Sequence, residues 1–93
     1  MEITIDELLK MNSVHIIDIR NPNRYLQGHI PGAISVFSNE LLNHPNRYLD
    51  VHEVYYLYCE SGMRSRKLVS FLNELGYHTV NIVGGYHNYL LRK

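Results

Sequence analysis

Val54-Tyr55-Tyr56-Leu57-Tyr58-Cys59-Glu60-Ser61-Gly62-Met63-Arg64-Ser65 is the stretch that decides how this chain is read. Residues 54–58 form a run of β-branched and aromatic side chains, which predicts a buried strand. After Ser65, Leu68, Leu72 and Leu75, with Val69 and Phe71 beside them, recur at helical spacing until Gly76 supplies a helix stop. Cys59, the only cysteine, therefore falls at the carboxyl end of a strand and faces a helix start. In a tight loop at such a place the backbone N–H groups converge on one point, and the helix amino end adds positive potential, so an anion is favoured. A thiol held there should ionise below the free value of about 8.5, with Arg64 adding to the stabilisation of thiolate. Gly62 lets the loop curl without a Cβ clash.

Outward from this stretch the same alternation repeats. Glu2-Ile3-Thr4 predicts a short strand, Thr4-Ile5-Asp6-Glu7 has the form of a capping box, and a helix to about Met11 follows. Val14 to Ile19 is nearly continuous in apolar β formers, as expected of a strand covered on both faces. Asn21-Pro22-Asn23 breaks the chain before a helical turn around Arg24 to Leu26, and Gly28 to Gly32 is turn-rich. A brief strand is expected over 34–37, then a helix capped by Ser38 and stopped by Pro45, then a polar connector over 45–52. Thr79 to Val83 predicts a last strand, Gly84-Gly85 a turn, and 86–91 a short terminal helix. The strand-helix-strand unit from Val54 to Val83 implies parallel pairing. The expected class is α/β: a small parallel sheet flanked by helices on both faces, forming one domain over residues 1–93. In such sheets ligands bind beyond the carboxyl ends of the strands, where Asp18, Cys59 and Gly84 all fall.

Composition narrows the function. Nine basic residues balance nine acidic ones, so no global field draws the chain to nucleic acid or to an acidic membrane. A single cysteine builds no disulfide framework, and no apolar run approaches the roughly 20 residues of a membrane helix. With no signal-like amino terminus, the expected location is the cytoplasm. No metal-ligand spacing links the histidines, and one cysteine does not make a structural zinc site. A lone thiol also means that whatever is loaded on Cys59 leaves to an acceptor outside the chain.

Four motifs in order, Asp18-Ile19-Arg20, Gly28-His29-Ile30-Pro31-Gly32-Ala33, the Cys59 to Ser65 loop and Gly84-Gly85, resemble the single-domain rhodaneses, the sulfurtransferases of the rhodanese superfamily. The resemblance covers essentially the whole chain. It implies that Cys59 is the nucleophile and carries sulfur as a persulfide, and that Glu60, Ser61, Gly62, Met63, Arg64 and Ser65 form its cradle. It further implies that Asp18 and Arg20 help to fix that cradle, and that no cofactor takes part. The expected substrates are a small sulfur donor such as thiosulfate and a cyanide or thiol acceptor, with a protein as alternative donor or acceptor. Four residues separate Cys59 from Arg64. Cysteine phosphatases usually place five there, so phosphatase or arsenate reductase activity is the weaker alternative; a non-catalytic sulfur-relay module is the other.

Some positions depart from the family pattern. Arg24 stands where an acidic residue is common, and Tyr89 where Trp is frequent; neither is expected to touch the chemistry. Glu60 sets a carboxylate beside the nucleophile and is expected to disfavour both thiolate and an anionic donor, so that Glu60→Lys would raise thiosulfate turnover. His29 is expected to be a hydrogen-bonded structural residue, and Arg66 and Lys67 a solvated helix face. Tyr55, Tyr56 and Tyr58 are expected to pack the sheet.

Overall fold

The computed structural model describes residues 1–92. Five parallel strands, β1 (Glu2–Ile3), β2 (His15–Asp18), β3 (Ala33–Ser35), β4 (Val54–Tyr58) and β5 (His78–Ile82), form one sheet in the order β1-β5-β4-β2-β3. The helices are α1 (Ile5–Leu9), α2 (Pro22–Gln27), α3 (Ser38–Asn43), α4 (Met63–Glu74) and α5 (Gly85–Leu91). The expected α/β class and parallel pairing are present.

The near-continuous apolar runs follow from burial on both faces. Successive side chains of a strand point to opposite sides. Ile17, Leu57 and Cys59 accordingly pack with Leu41 of α3 and Leu68, Val69 and Leu72 of α4, while Ile16, Tyr58 and Ile82 pack with Ile5 and Leu8 of α1 and Tyr86 of α5. Fully burying a Leu or Ile side chain contributes about 1.5–3 kcal/mol, so these two layers are what hold the sheet's carboxyl edge in place.

Local signals explain the ends of the elements. Thr4 and Glu7 form the expected capping box, the Thr4 hydroxyl accepting from Glu7 N at 3.1 Å and the Glu7 carboxylate accepting from Thr4 N at 2.9 Å. Helix α4 ends at Glu74 with Leu75 as its cap, and Gly76 after it takes φ +101°, the left-handed turn that suits a helix end. Three expectations are corrected. Strand β3 starts one residue earlier and ends two earlier than expected, because Ala33, Ile34 and Ser35 are the residues in register with Ile16, Ile17 and Asp18. Ser38 opens helix α3 as its first residue and does not cap it; Phe37 precedes it and offers no side-chain acceptor. The connector before β4 is also less polar in role than expected, since Pro45–Arg47 is a 3-10 turn that delivers Leu49 into the core. Among the described residues no helix is long and apolar enough to cross a membrane.

Candidate active site

Cys59 follows the last residue of β4, at the carboxyl edge of the sheet, and the residue is 5% exposed. The chain turns over Glu60 and Ser61, and Gly62 adopts φ +91° to start α4. That turn aims backbone donors at sulfur: Gly62 N lies 3.1 Å and Ser65 N 3.4 Å from Cys59 Sγ. The Ser65 hydroxyl is a further 3.4 Å neighbour of the sulfur. Burial pushes the Cys59 thiol up, but the Ser65 hydroxyl and the N–H groups of Ser65, Gly62 and Ser61 together outweigh it, and the net direction is below the ordinary thiol value.

The loop is held from three sides. Behind it stands Asn81 of β5, only 2% exposed, whose Oδ1 accepts from the Ser65 hydroxyl and whose Nδ2 donates to the Gly62 carbonyl at 3.2 Å. From above, the first turn of α5 grips it: Tyr86 N donates to the Cys59 carbonyl and His87 N to the Glu60 carbonyl, each at 2.9 Å. This approach explains the Gly84-Gly85 pair beyond a turn. A Cβ on Gly85 would overlap the Cys59 carbonyl oxygen, and one on Gly62 would meet Gly84 N at 2.8 Å.

The third support is the Asp18–Arg20 pair. Both side chains are buried, and Arg20 Nη2 and Nε donate to Asp18 at 2.7 and 3.0 Å. The Tyr58 hydroxyl donates to Asp18 Oδ2 at 2.7 Å and accepts from Ile30 N at 3.0 Å. Arg20 Nη1 reaches Glu60 Oε1 at 3.3 Å, and its guanidinium lies 4.1 Å from the centre of the Tyr86 ring. The residues on either side of Cys59 are thereby tied to one buried ion pair. Its polar groups are mutually satisfied, which is the condition under which such a pair is tolerated in a core. Burial and the bond to Asp18 push the Tyr58 hydroxyl well above its ordinary range.

Glu60 is not the free negative charge that its place in the sequence suggests. Arg24 Nε donates to its Oε2 at 2.6 Å, opposite the contact from Arg20. The hydrogen bond from Arg24 holds the Glu60 carboxyl below the usual carboxylate range against a smaller opposing effect of burial, with Arg20 adding to it. Two expectations are corrected: Glu60 is neutralised from outside the loop, and Arg24 reaches the site through it. A lysine at position 60 would face both guanidiniums instead of pairing with them.

The remaining residues are placed as follows. Ser61, Met63 and Arg64 line the pocket over Cys59 with Arg20, Asn21, Arg24 and Glu60. Arg64 is exposed and makes no ion pair among the described residues. His29 Nδ1 lies 2.9 Å from the Tyr25 carbonyl, with its ring stacked on Tyr25, as a structural residue should. Tyr55 and Tyr58 are buried in the sheet, as expected, but the hydroxyl of Tyr58 also braces Asp18. Sequence reading missed Asn81, although an amide in the middle of a strand buried on both faces was a visible signal.

The chain is similar to known proteins over nearly its whole length. The family model described as a rhodanese-like domain matches residues 4–91. Thiosulfate sulfurtransferase GlpE of Pseudoalteromonas translucida is 37% identical over 79 residues, covering 85% of this chain and 74% of that protein. Thiosulfate sulfurtransferase PspE of Escherichia coli is 33% identical over 72 residues, covering 76% of this chain and 69% of that protein. The crystal structure of a rhodanese-like domain protein from Staphylococcus aureus superposes with a TM-score of 0.84 at 33% identity, covering 96% of this chain and 91% of the other.

Proposed function

The chain belongs to the rhodanese-like domain family, and from that premise we propose that it is a sulfurtransferase in which Cys59 carries sulfur as a persulfide. The observation that supports this most directly is the pair of backbone donors aimed at Cys59 Sγ, Gly62 N and Ser65 N, with the Ser65 hydroxyl beside them. In the reading we favour, the Cys59 thiolate attacks the outer sulfur of thiosulfate. The new S–S bond forms as the sulfur–sulfur bond of the donor breaks, and its electron pair leaves with sulfite. Negative charge then sits on the terminal sulfur of the persulfide, close to the same donors, in the manner of an oxyanion hole. Cyanide or a thiolate attacks that terminal sulfur, and the electron pair of the cleaved bond returns to Cys59 Sγ. No step in this sequence needs a metal or an organic cofactor.

Asp18, Arg20 and Asn81 act in this scheme as positioning residues: Asn81 bonds Ser65 and Gly62 of the loop, and Asp18 holds Arg20, which reaches Glu60. A reducing compartment such as the cytoplasm suits a chain whose lone thiol works unpaired. The four-residue spacing between Cys59 and Arg64 leaves a tighter loop than a phosphate monoester needs.

Intact-mass spectrometry after incubation with thiosulfate tests the proposal. Wild type should gain one sulfur atom, lose it on addition of cyanide or a thiol, and Cys59→Ser should gain none. Absence of an adduct from both thiosulfate and a small persulfide donor would overturn it.

A further inference from the structure

A second concavity opens beside the Cys59 pocket, between α3 and α4. Phe37, Leu42, Leu68 and Phe71 give it an apolar floor, and Arg64 and Lys67 stand on its edge. Leu42 and Phe71 are 41% and 43% exposed, well above what helix residues facing a core show. Arg64 lines both cavities, so the groove and the thiol pocket share a wall and a cation. Other surface arginines are engaged: Arg24 with Glu60, Arg47 with Glu40, Arg66 with Glu2 and Arg92 with Asp6. Arg64 and Lys67 make no ion pair among the described residues, and no acidic side chain lines the groove.

An apolar floor beside two unpaired cations is complementary to a ligand with an apolar group and negative charge. Thiosulfate carries no apolar group that such a floor would take up. We propose that the α3–α4 groove docks a protein sulfur acceptor, which lays an acidic segment with an apolar side chain along the groove and brings its cysteine to Cys59. The inference builds on the sulfurtransferase reading. In the transfer the acceptor thiolate attacks the terminal sulfur of the Cys59 persulfide. One S–S bond forms and one breaks, the electron pair returns to Cys59 as thiolate, and the acceptor leaves as a persulfide with no net redox change.

The test offers the sulfur-loaded full chain two synthetic single-cysteine peptides, one flanked by Glu, Asp and Leu, the other with Lys in place of the acids, and 2-mercaptoethanol as a small acceptor. Transfer to the acidic peptide should be about tenfold faster than to the basic one. The Lys67→Glu/Leu42→Asp variant should lose that preference while transfer to 2-mercaptoethanol is unchanged. Equal rates for the two peptides, or a preference that survives the substitutions, would overturn the docking groove while leaving sulfur loading intact. A chain that accepts no sulfur overturns the sulfurtransferase reading, and the groove's role with it.

Discussion

Arg24 Nε lies 2.6 Å from Glu60 Oε2, across the mouth of the Cys59 pocket. The contact joins a helix that sequence motifs leave out of the chemistry to the residue beside the nucleophile. Both side chains are about half exposed, so the pair adds little to stability. Its effect is on the local field: a carboxylate next to a thiolate is balanced by a cation whose position depends on α2.

Removing Arg24 should therefore expose the charge of Glu60. Arg24→Ala is expected to lower thiosulfate kcat/KM about three- to tenfold, whereas Glu60→Gln alone should change it by less than about threefold. The double variant Arg24→Ala/Glu60→Gln should recover most of the loss. Steady-state kinetics with thiosulfate and cyanide check this, and strictly additive effects would contradict the pairing.

The pH dependence of Cys59 follows from its donors. Because the thiol is held below its ordinary value, thiolate persists as pH falls, and reactivity is lost only as pH passes down through the lowered value. The associated stabilisation is present above the unfolded thiol pKa and fades as pH falls through the native one. Alkylation by iodoacetamide, followed against pH, should show a midpoint below about 8.5. Ser65→Ala removes the hydroxyl that favours thiolate and should move the midpoint upward; an unmoved or lower midpoint would rule out that role.

Close packing behind the loop makes two small substitutions costly. Gly85→Ala places a methyl group on the Cys59 carbonyl and also forces a side chain into φ +57°. We expect a loss of about 2–4 kcal/mol, near the upper end for a point change. Asn81→Leu removes two buried hydrogen bonds, from the Ser65 hydroxyl and to the Gly62 carbonyl, at about 1–3 kcal/mol for the pair, since each group keeps a weaker partner. Urea unfolding measures both, and wild-type stability in either would show that the loop relaxes freely away from its supports.

The sequence by itself determined the layout of this protein. Runs of β formers in 14–19, 54–58 and 79–83 predicted strands, the first of them covered on both faces, and helical spacing after Ser65 set Cys59 between a strand end and a helix start. Those signals are local, since strand and helix periods are written in neighbouring residues. What only the tertiary structure decided is which distant groups meet at that cysteine. Arg24 and Glu60 lie 36 residues apart, Tyr58 and Asp18 40, and Asn81 and Gly62 19. No periodicity encodes such contacts. They arise because parallel pairing brings the carboxyl ends of β2, β4 and β5 to one edge, where buried polar groups must find partners among whatever residues the register delivers.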